Sequence, residues 1–66
     1  MGTREAFNKL PKVAQDRIER FRSDMKKDYL HRELYLSKGA GYIEGLRDAG
    51  LLTDFEHREL KCYLTI

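Results

Sequence analysis

The sequence predicts an all-α fold, a small three-helix bundle with a short extra turn at its N-terminus and its last two helices paired as an antiparallel hairpin. Three observations carry this. Leu10, Val13, Ala14, Ile18, Phe21 and Met25 recur mostly at three- and four-residue steps, which is one apolar stripe at helical period. No Pro or Gly interrupts the chain between Pro11 and Gly39. Gly50 and Thr53 then form a helix stop followed at once by a helix start. With 66 residues the chain is one domain at most.

Residues 3–9 predict a short helical turn. Thr3 is an acceptable N-cap and Glu5 places a carboxylate in the first turn. Ala6, Phe7 and Leu10 lie together, and the turn frays unless Phe7 docks on the body.

The next helix spans 11–27. Pro11 suits its first position, where the missing N–H costs nothing. Surface pairs are expected between Glu19 and Arg22 and between Asp16 and Arg20, worth a few tenths of a kcal/mol each. A break is expected near 27–29, with Asp28 capping a new helix there; the alternative is one helix running from 11 to about 37.

The second long helix, 29–49, carries Gly39, Gly41 and Gly45, each costing about 1 kcal/mol of helix propensity relative to Ala. Tyr35, Gly39, Tyr42, Leu46 and Ala49 share one face, and Gly41, Gly45 and Asp48 an adjacent one. Small residues let backbones approach closely, so a tight helix crossing is expected; a kink or loop around 38–41 is the alternative. The glycine spacing fails as a dinucleotide motif, because no strand precedes it and Glu44 holds the third glycine's place.

Gly50 is placed to take positive φ and end this helix, with Leu51 and Leu46 as the pair that closes a Schellman ending. Thr53 caps the last helix, 54–64, and Glu56 three residues on completes a capping box. Leu52 stands at the staple position, but its partner position holds His57. The expected core is Val13, Ile18, Phe21, Met25, Leu34, Ile43, Leu46, Leu51, Leu52, Phe55 and Leu60.

Chemistry is sparse. His31 and His57 stand 26 residues apart, and Cys62 lies five beyond His57, so neither a zinc set nor a Cys–His nucleophile pair is expected. Cys62 is expected as a small core or interface residue and His57 as a surface or boundary residue. The tetrapeptide HREL occurs at 31–34 and 57–60, which we read as chance within helical composition. We expect no catalytic activity, no metal and no cofactor.

A lone cysteine excludes an intramolecular disulfide and fits a reducing compartment. The start, MGTREAFNKLPK, has no apolar run for a signal peptide, and residue 6 is Ala where acylation of Gly2 wants Ser or Thr. No stretch approaches the roughly 18 apolar residues of a membrane span. The expected compartment is the cytoplasm.

Net charge is +2 and uneven. Residues 1–38 carry ten Lys and Arg against six Asp and Glu, and residues 39–66 carry three against five. Arg17, Arg20, Lys26, Lys27 and Arg32 are the candidate nucleic-acid contacts. A helix–turn–helix reading of 42–64 has the right proportions, but its second helix opens on Asp54, Glu56 and Glu59, and an acidic leading turn repels phosphates.

The segment 42–64, YIEGLRDAGLLTDFEHRELKCYL, resembles the short C-terminal helical-hairpin (SHOCT-like) modules of many bacterial proteins. Leu46, Asp48, Ala49, Gly50, Leu52, Thr53 and Glu56 match their pattern, with Ile43 where a Leu is usual. The resemblance covers about a third of the chain and implies an oligomerisation or interaction role, with no catalytic residue. The whole chain otherwise resembles small bacterial proteins without transferable function.

A domain this small is marginal alone. The leading expectation is therefore a small interaction or regulatory protein, self-associating as a homo-oligomer or binding another protein. Its expected interface is Tyr35, Gly39, Tyr42, Gly45 and Tyr63, since Tyr joins an apolar body to a polar tip. The alternative is a nucleic-acid-binding regulator using the basic residues of the first long helix.

Overall fold

A computed structural model describes residues 2–65, with side chains from Arg4 onward. The described residues form four helices, α1 (Gly2–Asn8), α2 (Lys12–Lys27), α3 (Arg32–Asp48) and α4 (Asp54–Tyr63), with a single 3₁₀ turn, Tyr29–His31, between α2 and α3. Among the described residues there is no strand. The fold is a small all-α bundle in which α2 packs on α3, α3 on α4, and α1 on α4.

The N-terminal turn is a packed helix. α1 begins at Gly2, ahead of Thr3, whose side chain lies outside the described ones. Ala6 and Leu10 are buried, and the Phe7 ring meets that of Tyr63 at 5.4 Å between centroids. Gln15 Nε2 donates to the carbonyls of Asn8 at 3.2 Å and Leu10 at 2.9 Å. That satisfies acceptors left open where α1 ends.

Pro11 precedes α2 rather than opening it. Its ψ of 152° is non-helical, so it is the cap residue, and its carbonyl accepts from Ala14 and Gln15. Ala14, Ile18 and Met25 form the buried line of α2, with Phe21 half-buried beside them. Val13 is 72% exposed, against expectation. It sits one residue, or about 100°, ahead of Ala14 on the helix, outside the buried arc. Arg22 Nη1 pairs with Glu19 at 3.1 Å as expected, whereas Asp16 pairs back to Lys12 at 3.0 Å instead of forward to Arg20.

α2 ends at Lys27, and Asp28 breaks the helix at φ −121°, ψ 72°. The Asp28 carboxylate engages side chains at the corner: His31 Nδ1 at 2.9 Å and the Tyr35 hydroxyl, which donates to it at 3.1 Å. Both hold the Asp28 carboxyl below its ordinary value, His31 most, and the carboxylate in turn raises the Tyr35 phenol.

α3 runs unbroken through all three glycines. Gly39 is buried where the helices meet: a Cβ there would stand 2.9 Å from Leu64 Cδ1 and 3.4 Å from Phe21 Cγ. Absence of that carbon lets both neighbours close on α3. Ile43 is fully buried, whereas Leu34, expected in the core, is 51% exposed. Nine residues separate the two, which places them about 180° apart on one helix.

The corner after α3 is a Schellman ending. Gly50 takes φ 82°, Leu51 N–H donates to Leu46 O at 3.0 Å and Gly50 N–H to Arg47 O at 2.9 Å. Leu52 points inward as expected, whereas Leu51, also expected in the core, points outward. Thr53 then caps α4: its Oγ1 accepts from Glu56 N–H at 3.1 Å, and Glu56 Oε1 accepts from Thr53 N–H at 2.9 Å. α4 runs back along α3 until Leu64 reaches Gly39.

Along α4 the buried positions are His57, Leu60 and Leu64, at steps of three and four. Phe55, expected in the core, is exposed, because it is about 200° from His57 on the helix. His57, which the sequence places at the surface or its boundary, is 5% exposed, on the side of α4 that also carries buried Leu60 and Leu64. Ile18, Ile43, Leu60 and Leu64 are the largest fully buried side chains. Each contributes about 1.5–3 kcal/mol of burial.

Candidate interaction surface

The expected interface residues do not share a surface. Gly39 is enclosed in the chain's own core. Tyr63 is held inside the fold: its hydroxyl donates to Glu19 Oε2 at 2.6 Å and accepts from Arg22 Nη1 at 2.9 Å, and the Arg22 guanidinium lies 4.1 Å from its ring centroid. Burial, and then the Glu19 carboxylate, raise the Tyr63 phenol above its usual value. Tyr42 packs on Phe21 at 6.2 Å between centroids, with Arg17 over its ring. Tyr35 is half-buried and bound to Asp28. These tyrosines are spent on joining helices, and among the expected interface residues only Gly45 lies on the exposed side.

The outer side of α3 carries a different set. Leu34, Ser37, Lys38, Gly41, Gly45 and Asp48 are all exposed and recur at helical spacing. A Cβ built on Gly41 or Gly45 would meet nothing within 4 Å. Their helix cost of about 1 kcal/mol each is thus unexplained by packing within the chain. At the N-terminal end of this face, Leu30 is 92% exposed and stands beside Tyr29 and Leu34 around a shallow recess. At the other end Leu51 is exposed, and Arg47 lies among Glu44, Asp48 and Asp54 at 3.4–3.8 Å.

The sequence pattern puts Leu34 in the core and gives no role to Leu30 or Lys38. The signal that corrects it is the nine-residue offset between Leu34 and Ile43. A leucine on an amphipathic helix ordinarily faces inward, and that tendency masks the offset.

Of the candidate nucleic-acid contacts, Lys26 and Arg32 line one recess, whereas Arg17, Arg20 and Lys27 scatter. Arg17, Arg20, Lys26 and Lys27 are exposed and Arg32 is half-buried. Arg17 is directed to Tyr42, and Asp16 and Glu19 share the outer side of α2. Cys62 is exposed rather than in the core. It borders a groove between α3 and α4 that Leu36, Ala40 and Lys61 also line. The two HREL copies sit differently, His31 exposed in the 3₁₀ turn and His57 buried in α4. Among the described residues no group of three or more His, Cys, Asp or Glu could hold a metal ion, and no helix is long and apolar enough to cross a membrane.

Compared with family models, with characterised proteins and with solved structures, the chain finds no match.

Proposed function

We propose that the chain is a small interaction protein that pairs with a second copy of itself through the outer face of α3. The observation that carries this is the pair Gly41 and Gly45. Both weaken the helix, neither is required by a contact within the chain, and both lie on an exposed face flanked by apolar Leu30 and Leu34. Small residues let a second backbone approach closely, which recovers contact area that glycine withholds from its own chain.

Charge placement supports a copy of the same chain as the partner. An antiparallel pairing about a two-fold axis at Gly41 sets Ser37 opposite Gly45 and Lys38 opposite Glu44 of the partner, each twice. It also brings the Leu30 end of one α3 to the Leu51 end of the other. Lys38 makes no ion pair among the described residues, and Glu44 has only a long one to Arg47, at 3.8 Å. The likeness of residues 42–64 to bacterial helical hairpins belongs to the same reading, as does a cytoplasmic setting, which the lone Cys62 fits. The reading includes no catalytic step.

Sedimentation over a wide concentration range tests it. A concentration-dependent dimer is expected, lost in Gly41→Gln, which also raises the thermal stability of the monomer through helix propensity. A wild-type monomer at every concentration overturns the proposal. So does a Gly41→Gln variant that still dimerises.

A further inference from the structure

A second site lies where α2, the 3₁₀ turn and the end of α4 converge. Arg22, Lys26 and Arg32 surround a recess of about 210 Å³, floored by Met25 and Leu64, with Tyr29 at its rim. Among the described residues no carboxylate lines it. Three cations thus share a partly desolvated cavity, an arrangement that costs energy without an anion. Arg22 is not an independent charge, since Glu19 and Tyr63 hold its Nη1. The case therefore rests on Lys26 and Arg32, which make no ion pair among the described residues.

Fold stability accounts for one of these two. Lys26 lies in the last turn of α2, where a cation complements the helix dipole. Arg32 is the first residue of α3, the positive end of that helix, where a cation is disfavoured. It is also half-buried beside two other cations. An oxyanion in the recess would relieve both penalties at once. Arg32 offers a planar fork suited to phosphate oxygens, and Lys26 a point charge. Tyr29 is 76% exposed, an aromatic surface with no role in the core. Beside a phosphate-sized basic recess, such a ring serves as a stacking platform for a base.

We infer that this recess binds single-stranded nucleic acid, taking a backbone phosphate between Lys26 and Arg32 and a neighbouring base on Tyr29. The site adjoins the N-terminal end of the outer face of α3, since Tyr29 and Arg32 border the recesses on both sides, but binding there does not require self-association.

The test is titration of the full chain, followed by backbone amide NMR, with a short oligothymidylate. Inorganic phosphate, duplex DNA and vesicles of anionic phospholipid are the comparison arms. The oligonucleotide is expected to shift the amides around Lys26, Tyr29 and Arg32, and to bind at least about fivefold tighter than inorganic phosphate, since each stacked base adds about 1–3 kcal/mol. Its affinity should fall with salt at a log–log slope of about −0.7 for the one phosphate held there. Arg32→Gln should weaken the oligonucleotide and flatten that slope. Tyr29→Ala should weaken the oligonucleotide and leave phosphate unchanged. Lys12→Gln, on the far end of α2, should change neither. Four outcomes overturn the inference: no binding at low salt, phosphate binding as tightly as the oligonucleotide, preference for vesicles or duplex, or shifts that survive in Lys26→Gln/Arg32→Gln.

Discussion

Lys9 Nζ stands 2.6 Å from Glu56 Oε1, and the same oxygen accepts the Thr53 backbone N–H at 2.9 Å. One carboxylate thus closes the capping box of α4 and ties the end of α1 to it across 47 residues. The Lys9 ammonium first, and the Thr53 N–H second, hold the Glu56 carboxyl below its ordinary value. Because the folded value is the lower one, this contribution is fully present above the unfolded carboxyl's pKa and disappears as pH falls through the folded one. Lys9→Met should raise the Glu56 pKa toward the ordinary carboxylate range and flatten the loss of stability in acid. Carboxyl NMR titration of both proteins checks this, and an unmoved Glu56 would refute the link. Thr53→Ala removes the cap itself and should cost about 1 kcal/mol in urea unfolding.

Gly39 and Gly41 lie two residues apart and should respond oppositely to alanine. At Gly41 a Cβ meets open space, so Gly41→Ala gains helix propensity and should stabilise the chain by about 1 kcal/mol. At Gly39 the same carbon presses on Leu64 Cδ1, an atom of a side chain that is itself fully buried. Overpacking of about 1–3 kcal/mol offsets the propensity gain there. Gly39→Ala should melt below Gly41→Ala, and Gly39→Leu should not fold stably. Equal melting temperatures for the two alanine variants would show that the crossing has slack.

The difference between these glycines marks where sequence reasoning stops. The caps are legible because capping is local: Gly50, Thr53 and Glu56 each act on backbone within four residues. The break at Asp28 falls where the sequence places it, but Asp28 forms no side-chain cap; its carboxylate goes to the His31 and Tyr35 side chains instead. Burial is less so, because it depends on what covers a face. Phe55 and His57 stand about 200° apart on α4, so only one of them can face the core, and the covering element decides for His57. Leu60 and Leu64 share that side of α4, and Leu64 lies against Gly39 of α3. The tyrosines are hidden from sequence similarly. Tyr63 reaches Glu19, 44 residues away, and no local pattern announces such a partner.

His57 is buried, and its Nε2 has no hydrogen-bond partner among the described residues. An unpaired buried polar group costs about 1–3 kcal/mol relative to an apolar one of similar shape. His57→Leu should therefore be neutral or stabilising by up to about that amount. It also supplies the apolar partner that Leu52 lacks in the staple at the start of α4. His57→Asn, smaller and still polar, should destabilise. Urea midpoints of the three proteins decide the matter; a loss of more than about 1 kcal/mol in His57→Leu would mean that the imidazole makes an interaction the fold needs.

The proposed pairing of α3 with itself is tested most sharply by charge exchange. Within one chain Lys38 and Glu44 are six residues apart, about 240° around the helix, so they do not face each other. Across a two-fold axis at Gly41 Lys38 of one copy and Glu44 of the other stand at the same level, one on each flank of the narrow glycine seam. Lys38→Glu should weaken the dimer by placing two like-charged pairs in the contact, and Glu44→Lys should do the same. At about 0.5 kcal/mol for each exposed pair, losing the two attractions raises the dissociation constant roughly fivefold, before repulsion is added. The double variant Lys38→Glu/Glu44→Lys reverses both signs and should restore wild-type association while leaving monomer stability close to that of the single variants. Restoration cannot arise within one chain, because the two side chains do not meet there. Failure of the double variant to recover association, in a chain that does dimerise, would move the contact away from this register of α3.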